Sequence, residues 1–161
     1  MKALLPVAVR IAAGLIERRE TVAVAESSTG GLIAAALLAV PGASAYFVGG
    51  AVVYTKASRA ALLGITDAEM ADMRASTEAY ALLCARRIRE KNRTTWGIGE
   101  TGATGPAGNR YGDAAGHSCM AVGGPIERSI TLETGSADRG ENMEAFAKRA
   151  LELFGEVIAV K

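Results

Sequence analysis

Apolar and polar residues alternate along this chain in two rhythms. Val7, Ile11, Leu15 and Ile16 recur at helical spacing and predict an amphipathic helix over 4–19. Thr21-Val22-Ala23-Val24-Ala25 is a short, nearly continuous apolar run, which predicts a buried strand. A second helical pattern follows, with Leu32, Ile33, Ala36 and Leu37 on one face, until Pro41-Gly42 breaks it. Residues 43–50 read as a connection, and Ala51-Val52-Val53-Tyr54-Thr55 as a second strand. A short helix over 56–63 stops at Gly64, and Thr66-Asp67-Ala68-Glu69 has the form of a capping box that starts another. Ser76-Thr77-Glu78 opens a longer helix to Asn92, with Tyr80, Leu83, Cys84 and Ile88 facing inward. Residues 94–100 predict a third strand, 102–116 a glycine-rich loop and 117–122 a fourth strand. Beyond the Gly123-Gly124-Pro125 turn, 126–133 alternate like a hairpin partner, and 138–153 predict a closing helix.

This order predicts an α/β protein: a single three-layer α/β/α domain over residues 1–161, with a mixed sheet whose last two strands are antiparallel. Half of the residues are hydrophobic but only 5% are aromatic, so the core is built from small aliphatics. With 18 basic and 17 acidic residues the net charge is +1, which argues against a nucleic-acid partner. No apolar run is long enough to span a membrane. The N-terminal stretch is interrupted by Pro6 and Arg10 and reads as part of the fold rather than a signal peptide. Cys84 and Cys119 lie far apart in apolar surroundings and read as reduced, buried thiols, which fits a cytoplasmic location. Small-residue helices would favour a homo-oligomer if one exposed an apolar face, but the pattern singles out no such face.

Candidate chemistry concentrates where polar and glycine residues exceed what packing needs. Glu26-Ser27-Ser28-Thr29-Gly30-Gly31 lies between a strand and a helix, where unpaired N–H groups and the helix dipole attract an anion or a developing oxyanion. A serine there is either an exposed nucleophile or an ordinary N-cap. Tyr54-Thr55-Lys56 with Arg59, and the loop from Thr101 to Asp113, also follow strands, so the three segments can converge outside the carboxyl ends of the sheet. A fourth place is Gly135–Arg139. The lone histidine, His117, opens a strand and reads as structural, which leaves little room for a Ser-His-Asp triad. One histidine and two separated cysteines offer no metal site. The Gly97-x-Gly99-x-x-Gly102 pattern begins inside a strand and opens no helix, so it is a weak dinucleotide fingerprint. What remains is a serine or threonine activated by something other than histidine. Of five lysines, Lys56 alone lies near the pocket; it shares a face with Tyr54 if the strand continues, or with Arg59 if a helix has begun.

Ala25-Glu26-Ser27-Ser28-Thr29-Gly30-Gly31 resembles the A-E-S-C/S-T-G-G motif of the CinA C-terminal family, which includes nicotinamide-nucleotide amidases. The likeness extends through Gly42–Phe47, Val53-Tyr54, Leu63-Gly64-Ile65, Gly102-x-x-Gly105-Pro106 and Asp138-Arg139. It implies an α/β/α domain that deamidates nicotinamide mononucleotide without metal or cofactor. It matches Ser27 to the family's nucleophile and Arg59 to the position of that nucleophile's partner; with Tyr54 and Lys56 from the reading above, these are the candidate catalytic residues. Glu26, Ser28, Thr29, Gly30, Gly31, Gly105, Arg110 and Arg139 are the implied substrate contacts, with N–H groups near Thr29–Gly31 for an oxyanion.

Three departures accompany the likeness. Active members carry a lysine where this chain has Arg59, and arginine cannot serve as a general base. Lys56, one helical turn earlier, is the available substitute. The loop after Gly105-Pro106 differs, and Met143 stands where an arginine is usual. Two functions therefore stay open: a serine amidohydrolase using Ser27 with Lys56 or Tyr54, and a non-catalytic relative that binds a phosphorylated nucleotide-like ligand.

Overall fold

A computed structural model describes residues 1–159. The elements are α1 (Leu5–Arg18), β1 (Val22–Glu26), α2 (Leu32–Leu38), β2 (Phe47–Val52), α3 (Lys56–Ser58), α4 (Glu78–Asn92), β3 (Trp96–Ala103), β4 (His117–Gly123), β5 (Arg128–Glu133) and α5 (Arg139–Ala159). The sheet order is β2-β1-β3-β4-β5. Strands β1, β2 and β3 are parallel, and β4 runs antiparallel to both β3 and β5. The mixed α/β sheet and its antiparallel final pair agree with the sequence reading.

Several boundaries do not. Strand β2 lies at 47–52, whereas the sequence reads as a connection over 43–50 and a strand over 51–55; the strand thus begins four residues earlier and ends before Val53, and its pairs include Ala23↔Gly49 and Val24↔Gly50. Two central glycines hide the strand signal; pairing to buried β1 supplies what local preference lacks. Thr66–Glu69 forms its capping hydrogen bonds, Thr66 N–H to Glu69 Oε2 at 2.9 Å and Glu69 N–H to Thr66 Oγ1 at 3.3 Å, yet turns follow rather than a helix. Lys56 begins α3, capped by Thr55, and a π-helical turn over Arg59–Leu63 continues it, so Lys56 pairs with Arg59 rather than with Tyr54. Strand β3 runs three residues past Glu100, so Gly102 is strand and not loop. Ile16, assigned to the inner stripe of α1, is 44% exposed; Leu4, Ala8 and Ala12 complete that stripe instead.

Helices cover both faces of the sheet. On one, α1, α2 and α5 enclose a large core with Val22, Val24, Ile98, Met120 and Val122. Trp96 anchors it, packed edge-on against Phe154 at 5.9 Å between ring centroids, with its indole N–H donating to Glu20 Oε2 at 2.8 Å. Truncating a buried aromatic like Phe154 to alanine typically costs about 3–5 kcal/mol. On the other face α4 lies close against the sheet, because both sides are small: Ala81 and Ala85 meet Gly97, Gly99, Cys119 and Ala121. The G-x-G spacing of β3 thus serves helix packing. The connection from β1 to β2 carries α2 on one face, and that from β2 to β3 carries α4 on the other. Such a switch opens a crevice at the carboxyl ends of β1 and β3.

Candidate active site

The carboxyl ends of the three parallel strands border a cleft of about 500 Å³. Ser27 lines it from the end of β1, and Val53, Tyr54, Thr55, Lys56 and Arg59 from the chain after β2. Thr101 of β3, Asn109, Arg110 and Tyr111 complete the polar wall, with Ala75 and Tyr80 from α4 and its approach. Three of the polar segments thus meet, and the fourth fastens them. Arg139 donates to the Gly105 carbonyl at 2.8 Å and to the Tyr54 hydroxyl at 3.3 Å, tying the glycine loop to the strand end.

Ser27 sits on a turn held from below by two carboxylates. Glu100 Oε2 accepts from the N–H of Ser27 at 3.0 Å and of Thr29 at 3.1 Å. Its Oε1 accepts from the hydroxyls of Ser28 and, at 2.9 Å, Ser118. Glu26 accepts from the N–H groups of Ile33 and Ala34 at 3.0 and 2.9 Å, which caps α2. The Thr29 hydroxyl lies between the two, 2.6 Å from Glu26 Oε2 and 3.1 Å from Glu100 Oε2. Burial raises the Glu26 carboxyl above its usual range, partly offset by the Thr29 hydroxyl and the α2 N–H groups and reinforced by the Glu100 charge. Gly30 and Gly31 take φ of 63° and 103°, a conformation that glycine adopts without strain and that lets the chain enter α2 within one turn.

Glu26, Ser28 and Thr29 are therefore buried beneath the cleft and committed to each other rather than exposed to a ligand. The anion expected at the α2 N-terminus is the protein's own Glu26. Among the described residues no carboxylate accepts from the turn N–H groups of Ser28 and Gly31. Ser27 is half-buried at the cleft, and among the described residues none hydrogen-bonds its hydroxyl. Gly30 is exposed, with the Met143 methyl only 2.8 Å from where a β-carbon would stand.

Two cations of the cleft, Lys56 and Arg59, share one partner. Lys56 Nζ lies 2.9 Å from Asp67 Oδ2, and Arg59 Nη2 lies 3.1 Å from Asp67 Oδ1. The hydrogen bond and charge of Lys56, with Arg59, hold Asp67 below the usual carboxylate range. Lys56 is 72% exposed whereas Arg59 is only 11% exposed, and Arg59 Nε has no hydrogen-bond partner. Behind it, Tyr80 and Cys84 interact; burial raises both, the Cys84 thiol to about 12, so it stays protonated. Arg110 and Arg74 flank the Tyr111 ring, at 5.7 and 5.3 Å from its centroid. Arg74 grips Asp113 with both terminal nitrogens at 2.7 and 3.1 Å, which pulls that carboxyl down to about 2 and pins the loop. His117 stands outside the cleft, buried, with Nε2 2.9 Å from the Ser76 carbonyl and Nδ1 on Glu133. Among the described residues no group of three His, Cys, Asp or Glu side chains could hold a metal, and no helix is long and apolar enough to cross a membrane.

Glu100, Ser118, Asp67 and Tyr80 belong to this arrangement, and the sequence reading passed over them. Glu100 left a signal: an acid inside an otherwise apolar strand, one strand away from the serine turn.

The fold and the cleft define a three-layer α/β domain with a serine-bearing crossover at its polar crevice. The model of the CinA C-terminal domain matches residues 5–158. This chain belongs to that family. A CinA-like protein of Gloeobacter violaceus is 39% identical over 132 residues, which are 81% of this chain and 31% of that protein. One from Salinibacter ruber is 36% identical over 135 residues, 84% of this chain and 33% of its own length. The chain thus spans about a third of the curated relatives it matches. The competence/damage inducible protein CihA of Agrobacterium tumefaciens is 27% identical with a TM-score of 0.89, over 98% of this chain and 96% of that one. A CinA superfamily protein from Klebsiella pneumoniae gives a TM-score of 0.91 at 24% identity, over 98% and 99% of the two chains, and bears on the fold alone.

Proposed function

We propose that this domain is an amidohydrolase that converts nicotinamide mononucleotide to nicotinate mononucleotide and ammonia, with Ser27 as nucleophile. The observation that carries the reading is the Ser27 hydroxyl itself: unpartnered, at the cleft, on a backbone clamped from below by Glu100. The Ser27 oxygen attacks the carboxamide carbon, and the carbonyl oxygen takes up negative charge. The N–H groups of Ser28 and Gly31 are the donors left to receive it. Collapse breaks the C–N bond, ammonia leaves with a returned proton, and water hydrolyses the acyl-serine. Lys56 takes the serine proton only as the neutral amine, so it must first leave Asp67 and give its ammonium proton to solvent; Arg59 eases that release by retaining the carboxylate. Arg110 and the glycine loop offer donors for the phosphate, while Arg139 holds Tyr54 and Gly105 in place.

A binding-only domain is the second reading, favoured by one observation: Lys56 and Arg59, the cations that follow β2 into the cleft, are both engaged by Asp67. Ammonia release from nicotinamide mononucleotide separates the two. The amidase reading expects release by the unmodified chain and its loss in Ser27→Ala. No ammonia at high protein concentration, with equal thermal stabilisation of both proteins by the nucleotide, overturns it in favour of binding alone.

A further inference from the structure

A helix N-terminus ordinarily offers its N–H groups to an anionic ligand. Here they are already occupied. Ser27 N–H and Thr29 N–H point to Glu100, and Ile33 N–H and Ala34 N–H to Glu26. Glu100 is 2% exposed, and its two oxygens accept from Ser27 N–H, Thr29 N–H and the Ser28 and Ser118 hydroxyls, with the Thr29 hydroxyl also at 3.1 Å, a donor set that suits an acceptor-only carboxylate. No basic side chain lies on the turn to balance it; the cations of the cleft come from α3, its π-helical extension and the Arg110 loop.

We infer that Glu100 is a specificity-determining residue, whose buried carboxylate beneath Ser27 lets the cleft hold a neutral carboxamide and reject the carboxylate that hydrolysis leaves. This rests on the amidohydrolase reading and adds to it a reason for product to depart. A group reacting at Ser27 sits one hydrogen bond and a few covalent bonds from Glu100. Two carboxylates about 6 Å apart, in surroundings of effective dielectric about 20, repel enough to weaken binding roughly a hundredfold. Screening by solvent and by the cleft cations reduces this to about tenfold. An amide carries no charge and meets no such repulsion. The phosphate, carried elsewhere on the ligand, is the same in substrate and product and cancels from the comparison.

The test is calorimetric titration of the Ser27→Ala chain, which cannot turn substrate over, with nicotinamide mononucleotide and with nicotinate mononucleotide. The expected result is about tenfold tighter binding of the amide. Adding Glu100→Gln, which keeps the shape and removes the charge, should bring the ratio of dissociation constants close to one. Glu100→Asp keeps the charge but loosens the clamp; it should weaken both ligands and preserve the ratio, and a purely structural role would instead make Glu100→Gln and Glu100→Asp alike in leaving the ratio unmoved. Equal or tighter binding of the acid in Ser27→Ala overturns the inference even if the Glu100 variants do not fold. A ratio unmoved by Glu100→Gln overturns it as well. If neither mononucleotide binds, the amidase reading falls and takes this inference with it; if both bind equally, this inference alone falls.

Discussion

Gly99→Ala returns a side chain to the layer where α4 and the sheet are closest. A β-carbon at Gly99 would stand 2.0 Å from the Ala81 carbonyl oxygen and 2.8 Å from the Ala85 nitrogen. Both obstacles are helix backbone, so no rotamer change relieves them. Helix α4 must retreat by about 1 Å, and the contacts among Ala81, Ala85, Cys119 and Ala121 lose much of their dispersion energy. Overpacked cores usually lose about 1–3 kcal/mol, and a backbone obstacle puts this variant at the upper end. At about 2–4 °C per kcal/mol for a domain of this size, Tm should fall by about 5–10 °C. Gly155→Ala in α5 is the control: its β-carbon would meet Ile11 at an ordinary 3.8 Å, so relief of helix-interior glycine should add about 0.5–1 kcal/mol. Urea and thermal unfolding followed by circular dichroism would measure both. An unchanged midpoint for Gly99→Ala would refute the close approach of α4 to β3. Because α4 carries Tyr80 to the cleft, the same retreat should also weaken ligand binding.

Other outcomes follow from individual contacts. Arg59→Lys puts a titratable amine at the position where the family resemblance implies a lysine; on the amidase reading kcat should rise at least about tenfold, given the usual worth of a general base. Assay of ammonia release decides it. His117 has a raised pKa: burial opposes its charge, but Glu133, the Ser76 carbonyl and Asp113 more than compensate. Its contribution to stability is therefore complete below its ordinary value of 6.5 and lost as pH rises through the folded pKa. The urea midpoint should decline over that window in the unmodified chain and stay flatter in His117→Gln. Asp113, depressed to about 2, behaves oppositely: its stabilisation is present above the ordinary 3.8 and lost as pH falls towards 2. Arg74→Ala should shift that acid loss upward in pH, as read by fluorescence of a probe on the loop.

The buried strands β1, β3 and β4 and the long helices were legible because each carries a short, mostly apolar run or a clear helical stripe. Strand β2 was not, since Gly49 and Gly50 carry no side-chain pattern and the strand exists through its pairing with β1. The Thr66–Glu69 box was read correctly as a local hydrogen-bonding device, but no sufficient apolar stripe follows it to propagate a helix. At the cleft, the motif drew attention to Glu26 and Thr29 as ligand contacts. Their burial depends on Glu100, which approaches only when β1 and β3 pair. No periodicity within the motif could reveal a partner that lies in a different strand.

That pairing has a kinetic consequence. Ser27 and the carboxylate that fixes its turn are 73 residues apart. Local helix formation can finish within microseconds, while contacts of such sequence separation are among the last that a chain makes. A refolding chain should therefore regain its helical circular dichroism before it can hold a ligand. A chain still emerging from the ribosome carries the serine for a long interval before it carries the clamp.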